Sequence, residues 1–377
     1  MKVVVVIPTF NEAANVERLV RVLEEEFKLL VDHQTAVLFV DDSSPDGTAE
    51  IIKKLQGEFG NIHLLLRQSK EGLGAAYIAG MKYAMEKLAA EVIVEMDADF
   101  QHDPADLKRF LVQIENGADY VIGSRFAKGG SIPKDWQIYR RLLSVLGNLT
   151  SRLILNLPNI TDYTTGYKVS RVAGFLKTID LDNLSSRGFA YKMHLLTEMI
   201  DRGAKVKEIP IAFANREKGI SKMEGNNPLD SLKVVLGIRI RKSQRFLKFL
   251  GVGFIGLILD FLGYAFLVRV GNFLPTLASV VSAQPSVISN YILNNLWTFS
   301  DRRHVETKSY LKGLILFALT SNIGVFLVRG SIVFFSSLVF GHKSLVNYLI
   351  GTTFLVIYNF TVYNRVIWPR VNKVNKE

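Results

Sequence analysis

The sequence predicts two domains of different class in one chain. The first is α/β, built on a mostly parallel sheet; the second is an all-α membrane domain of four helices. Three observations carry this reading. Short apolar runs alternate with amphipathic helical stretches from residue 3 to about residue 123. Four apolar spans, each near the ~20 residues that cross a bilayer as a helix, fill the last third. Basic residues bracket those spans mainly on one side.

The elements follow in order. Residues 3–7 (VVVVI) predict a strand, and Asn11 is placed to cap a helix with the apolar stripe Val16, Leu19, Val20, Leu23 and Phe27. Residues 36–40 predict a second strand ending at Asp41 and Asp42, and SPDGT is turn chemistry leading into a helix. Residues 62–66, 92–96 and 120–123 predict three more strands, with helices over 72–88 and 107–114 between them. Such repeated βα units imply a parallel sheet covered on both faces.

Beyond Arg125 the pattern changes. Residues 135–155 and 230–246 are basic and amphipathic. A core-facing helix and a helix lying in the bilayer interface both fit such a pattern. The spans are residues 247–268, 274–297, 311–328 and 345–363. Arg239, Arg241, Lys242 and Arg245 precede the first; Arg302, Arg303, Lys308 and Lys312 lie between the second and third. Arg365, Arg370, Lys373 and Lys376 follow the fourth, against Arg269, Arg329 and Lys343 opposite. This asymmetry puts the α/β domain and the C-terminus in the cytoplasm of a multi-pass membrane protein. Trp297 and Trp368 beside the basic loops read as interfacial aromatics. Asp260, Gln284, Asn290, Asn294, Asn295 and Asn322 within the spans form interhelical hydrogen bonds or, less favoured, a polar path. The expected organisation is 1–228 catalytic, with an interfacial helix at about 136–155, 229–246 interfacial amphipathic helix or linker, 247–368 transmembrane, and 369–377 cytoplasmic tail.

The 377 residues carry net charge +11 with no cysteine, which excludes disulfides and thiolate metal sites. The N-terminal apolar run is too short for a signal peptide. No nucleic-acid-binding motif accompanies the positive charge, so no nucleic-acid partner is expected; a membrane surface suits it better. GxxxxGK[ST] and GxGxxG are both absent, against a P-loop NTPase and a dinucleotide enzyme.

Residues 92–104, VIVEMDADFQHDP, carry the chemistry. An apolar strand stops at Asp97 and Asp99, where ligands of open α/β sheets sit. The pair holds a divalent cation, Mg²⁺ or Mn²⁺, against a diphosphate, or is a solvated acidic turn. Phe10 and Glu12 after the first strand and Asp42 after the second share that sheet edge. An aromatic ring beside carboxylates suits a nucleotide.

The segments VVVVIPTFNEAANV, FVDDSSPDGT, KEGLGAAYIAG and VEMDADFQHDP resemble family 2 glycosyltransferases of the GT-A, Rossmann-like fold. VIGSRF, DYTTGYKVSR, SRGFAYKMHLL and IPIAFANREKGISKM resemble the polyprenyl-phosphate sugar synthases, most closely the dolichol-phosphate mannose synthases. The resemblance covers residues 1 to about 230, and the four-span tail, especially NYILNNLWTF, resembles the GtrA-like domain fused to some of these enzymes. The Gln-x-x-Arg-Trp motif of processive synthases is absent. The resemblance implies inverting transfer of mannose from GDP-mannose to dolichyl (polyprenyl) phosphate. It implies nucleotide contacts at Pro8, Phe10, Glu12, Val40 and Asp42, with Phe10 standing where the family often has Tyr. It implies a diphosphate–metal centre at Asp97, Ala98, Asp99 and Gln101. Arg125, Arg140 and Ser144 then hold the acceptor phosphate, in a register that allows Arg140 or Arg141. Arg216 and Lys222 fall on a basic loop over the donor. Asp99, Arg125, Arg140, Ser144, Arg216 and Lys222 are the expected catalytic set. A phosphate monoester is already an anion at neutral pH, its second pKa being ~6, so no general base is required. The rivals are a UDP-glucose-dependent enzyme and a lipid-linked sugar flippase with a sugar-nucleotide-binding module.

Overall fold

The valine run at the N-terminus becomes the centre of the sheet, because both its faces are covered. A computed structural model describes residues 1–216, 227–340 and 345–369. Lys222, Lys343 and the tail from Arg370 lie outside the described residues. The chain divides into two compact units, Met1–Arg239 and Ile240–Glu377.

In the first unit seven strands form one sheet: β1 (Lys2–Thr9), β2 (Gln34–Asp41), β3 (Ile62–Leu66), β4 (Val92–Glu95), β5 (Tyr120–Ser124), β6 (Lys168–Arg171) and β7 (Val206–Pro210). Their order is β3-β2-β1-β4-β6-β5-β7. All neighbours are parallel except β6, which runs antiparallel to β4 and β5. The helices are α1 (Ala13–Lys28), α2 (Thr48–Glu58), α3 (Leu73–Glu86), α4 (Asp106–Glu115), α5 (Ile138–Leu155) and α6 (Tyr191–Asp201). Alternate strand residues enter two separate cores. Val4, Val6, Leu38, Val40 and Ile93 face α3 and α6. Val3, Val5, Ile7, Phe39 and Val94 face α1, α2 and α4. This is why β1, β2 and β4 read as unbroken apolar runs.

Gly80 lets α3 lie flat on the sheet. A Cβ there would stand 2.4 Å from Val6 Cγ1 and 2.9 Å from Val40 Cγ2. Gly80→Leu is therefore expected to destabilise the first unit by about 1–3 kcal/mol through overpacking, even after the gain in helix propensity. Urea unfolding of the full chain in detergent measures this.

Two expectations are corrected. Asn11 does not cap α1: it sits at φ 56, its N–H donates to Ser44 Oγ at 3.0 Å, and the cap position falls to Glu12. The strands β6 and β7 were not expected, since their residues are largely polar. The segment 229–246 is helical, as one form of the expectation had it, and belongs to a longer helix, α7 (Asn227–Arg269).

The second unit is helical: the latter part of α7, then α8 (Pro275–Leu293), α9 (Thr307–Ile323), α10 (Gly330–Phe340) and α11 (Leu345–Val362). A π turn, Gly324–Arg329, joins α9 to α10, so the two run on as one apolar stretch. Among the described residues, Pro228–Arg269 and Thr307–Phe340 are long and apolar enough to cross a membrane, each with mean hydropathy 2.0. Some polar groups in this unit bond internally, while the buried Asn290 Oδ1 and Asn294 Oδ1 have no hydrogen-bond partner among the described residues. Ser282 Oγ donates to Asp260 Oδ1 at 2.6 Å, and Trp368 Nε1 donates to Asn295 Oδ1 at 3.0 Å. Trp297 is half exposed, but Trp368 is wholly buried, stacked on Phe299 with ring centroids 4.5 Å apart. It is a core residue of this unit rather than an interfacial aromatic.

Candidate active site

The chain builds β1, β2 and β3 outward, then returns to lay β4 on the other side of β1. At that reversal the connections leave the strand ends in opposite directions and open a crevice. A cavity of about 510 Å³ lies there. Pro8, Phe10 and Glu12 line it from the end of β1, Asp42 from β2, and Asp97, Ala98, Asp99 and Gln101 from β4. Arg125 enters from β5, Arg140 and Ser144 from α5, and Arg216 from beyond β7. Val40 differs: its side chain is wholly buried in the core beneath. Lys222 lies outside the described residues. Three of the loops carry a non-glycine residue in the left-handed region, Asn11 (φ 56), Ser43 (φ 55) and Phe100 (φ 60). Backbone strain of this kind, of order 1–3 kcal/mol each, gathers where the surrounding structure fixes a site.

The acidic end is differentiated. Asp41 is structural, accepting from Thr9 Oγ1 (2.9 Å) and from Ser44 N (2.9 Å). Asp42 turns into the cavity and pairs with Arg67 at 3.0 Å; burial pushes its carboxyl up to about 6. Asp97 Oδ1 accepts from the Tyr77 hydroxyl at 2.8 Å. Asp99 Oδ1 accepts from Gln101 N at 3.1 Å, and Oδ2 lies 2.7 Å from Arg216 Nη2. Burial, then the neighbouring Asp97, raise the Asp99 carboxyl to about 6. A carboxylate in this position calls for a cation, which Arg216 supplies here. Among the described residues no three His, Asp or Glu side chains cluster as a metal site. The hard oxygens of Asp97, Asp99 and Gln101 nonetheless suit Mg²⁺ or Mn²⁺ shared with a diphosphate.

The basic end is held from behind. Arg125 Nε and Nη2 donate to Asp162 Oδ2 (2.7 Å) and Oδ1 (2.8 Å), and both residues are buried. Arg140 lies over the Trp136 ring at 3.9 Å, whereas Arg141 is exposed and does not line the cavity. Burial, then the charges of Arg125 and Arg216, push the Arg140 guanidinium below its ordinary value. Arg125 is paired with Asp162 and Arg216 with Asp99, and Arg140 adds a third guanidinium, so the cavity gathers donors of the kind that bind phosphate.

Residues 4–178 match Glycosyl transferase family 2, and residues 248–368 match the GtrA/DPMS transmembrane domain. The polyprenol monophosphomannose synthase of Mycolicibacterium smegmatis is 38% identical over 243 residues, 64% of this chain and 88% of that protein. This chain belongs to glycosyl transferase family 2. The undecaprenyl-phosphate mannosyltransferase of Micrococcus luteus is 39% identical over 225 residues, 60% of this chain and 88% of the relative. The dolichol-phosphate mannosyltransferase of Pyrococcus furiosus is 29% identical over 371 residues, 98% of this chain and 99% of the relative, and so spans both units. The chain is thus a membrane glycosyltransferase with a GT-A-type α/β domain and a helical GtrA-type domain.

Sequence reasoning missed the layer of this glycosyltransferase site that lies beneath the expected residues. Glu95 and Lys168 face each other across β4 and β6, both wholly buried. Burial raises the Glu95 carboxyl and lowers the Lys168 ammonium to about 8. The Tyr191 hydroxyl donates to Glu95, and Lys168 Nζ donates to the Lys192 carbonyl at 3.3 Å. His102 Nδ1 accepts from Asp97 N at 3.1 Å; burial lowers its pKa to about 4, so the ring is neutral. Asp162 and Lys192 stood in quoted segments, DYTTGYK and FAYKMH. A lysine flanked by Tyr191 and Met193 at the start of α6 was the available signal.

Proposed function

We propose that this enzyme transfers mannose from GDP-mannose to the phosphate of a dolichyl or other polyprenyl lipid, releasing GDP with inversion at the anomeric carbon. One observation carries the reading: a single cavity joins an acidic end, a cluster of guanidiniums and an apolar limb formed by Leu143 and Leu146 of α5 with Leu232 and Val235 of α7. Nucleotide, two phosphates and the first isoprenoid units match those three environments in turn. The names of the three relatives, each a mannosyl transfer to a polyprenyl phosphate, support it.

Phe10 packs on the base, and Asp42 and Glu12 accept from base or ribose. Asp97, Asp99 and Gln101 would hold Mg²⁺ or Mn²⁺, which neutralises charge on the departing diphosphate when bound. Arg216 stabilises the same leaving group, and Lys222 is assigned beside it from the resemblance alone. Arg125, Arg140 and Ser144 take the acceptor phosphate and cancel its charge, so that two anions can approach in line. No side chain needs to remove a proton.

The face of α5 supports a place in the bilayer interface. Ile138 is 76% exposed and Leu153 71%, while polar Asn148 and Ser151 turn inward. A core-facing helix would show the reverse. With the positive-charge asymmetry, the catalytic unit and the C-terminus face the cytoplasm, on four membrane passes.

Full-length protein in detergent with polyprenyl phosphate tests the reading, given GDP-mannose or UDP-glucose and Mg²⁺, Mn²⁺ or EDTA. Lipid-linked mannose from GDP-mannose, lost in EDTA, is expected; transfer from UDP-glucose alone overturns the donor, and turnover in EDTA overturns the metal. A lipid-linked sugar flippase predicts no turnover with either donor. Arg140→Met is expected to raise KM for the lipid by about tenfold to a hundredfold and leave KM for GDP-mannose unchanged. Steady-state kinetics with each substrate varied in turn reads the split.

A further inference from the structure

Beside Asp97 the cavity has a polar notch that neither a diphosphate nor a lipid phosphate explains. Gly166 forms its floor. A Cβ on Gly166 would stand 2.7 Å from His102 Cε1, 2.8 Å from Asp97 Oδ2 and 2.9 Å from Lys192 Nζ. All four residues line the cavity. Lys192 and His102 are each 1% exposed.

Both buried groups carry unused donors. The Lys192 ammonium rests over the rings of Phe189 (4.6 Å) and Tyr77 (5.8 Å), and donates no hydrogen bond to any described residue. Its nitrogen lies more than 4.0 Å from the Asp97 oxygens, too far for a direct ion pair. His102 Nδ1 accepts the Asp97 N–H, which puts the ring proton on Nε2, a buried atom with no partner. Leaving a buried donor such as His102 Nε2 unpaired costs about 1–3 kcal/mol, and the Lys192 ammonium faces the cavity without a hydrogen-bond partner among the described residues. The site therefore keeps them for something that enters the cavity.

The chemistry of the notch selects what enters. A phosphate oxygen only accepts, and Asp97 Oδ2 would repel it. A hydroxyl both donates and accepts. Nζ and Oδ2 flank the same small space over Gly166, near enough to each other for one hydroxyl lying between them to donate to Asp97 Oδ2 and accept from Lys192 Nζ, with His102 beside it. We propose that the Gly166–Lys192–His102 notch reads a hydroxyl of the sugar being transferred, making these residues determinants of sugar specificity. This rests on the sugar-nucleotide reading above. Gly166 is required because any side chain there fills the space in which the carboxylate, ammonium and imidazole converge.

Calorimetric binding of GDP and GDP-mannose to the full chain tests it. Gly166→Ala displaces all three groups, and Lys192→Met keeps the side-chain length while removing the donors. Lys192→Met is expected to bind GDP as the wild type does, which also shows that it folds, whereas Gly166→Ala, which moves Asp97 as well, is expected to weaken GDP too. Both should bind GDP-mannose about tenfold to a hundredfold more weakly. Across GDP-mannose analogues each lacking one hydroxyl, the wild type should lose affinity at one position and Lys192→Met should not. Unchanged GDP-mannose binding in Lys192→Met overturns the notch alone, as does an equal loss of GDP and GDP-mannose in that variant. Wild-type protein that binds neither GDP-mannose nor UDP-glucose overturns the donor reading and the notch with it.

Discussion

Asp99→Asn is expected to lower kcat/KM for sugar transfer by about 10³-fold while leaving the fold intact. The substitution keeps the shape and the acceptor for Gln101 N, and removes only the charge. That charge faces Arg216 and is the carboxylate best placed to share a cation with a diphosphate. Stability should move the other way. Burial beside Asp97 raises the folded-state pKa of Asp99 to about 6, above the usual carboxylate range. The folded chain then binds this proton more tightly than the unfolded chain, so stability falls as pH rises from about 4 through about 6. At pH 7 the neutral Asn relieves that burden, and Tm should stay level or rise. Initial rates with a short-chain polyprenyl phosphate, together with thermal melting, check both halves. Retained transfer would remove Asp99 from the mechanism.

Asp162→Ala should act on stability first and on activity through it. Asp162 is wholly buried and bidentate to Arg125, and it also accepts from the backbone N–H groups of Thr164 and Thr165 at 3.1 Å. Removing one partner leaves the Arg125 guanidinium buried and uncompensated, a loss of about 3–5 kcal/mol. Asp162→Asn retains the backbone acceptor and should fall between wild type and Ala. Urea unfolding in detergent measures the loss, and a loss under about 1 kcal/mol would show that Arg125 finds solvent or another anion. In folded protein at low temperature, KM for the lipid should rise, since Arg125 no longer holds its place.

The strands that frame the site were legible because burial on both faces leaves continuous apolar runs; residues 3–7, 36–40 and 92–96 all lie in or next to observed strands. β6 was not, because its buried residues include Lys168 and Ser170, which look like a loop until Glu95 stands opposite. The acid pair and the arginines were visible as charged residues at strand ends or in recognisable segments. Their supports were not: Asp162, Lys192 and His102 reach the site from a loop, a helix and a turn whose convergence only the folded chain displays. The two faces of α5 show the same limit. Its sequence fits a core helix and an interfacial one equally, and which residues it exposes, Leu153 outward and Asn148 inward, is visible only in the folded chain.

The central claim is one direct displacement, in which an anionic lipid phosphate held by Arg125, Arg140 and Ser144 attacks a sugar whose leaving diphosphate is held at Asp99 and Arg216. The anomeric configuration of the lipid-linked sugar, read by NMR from product made with GDP-mannose, tests it most directly. A product of configuration opposite to the donor is predicted. Retained configuration would require two successive displacements or attack from the leaving-group face, and would contradict a single in-line displacement.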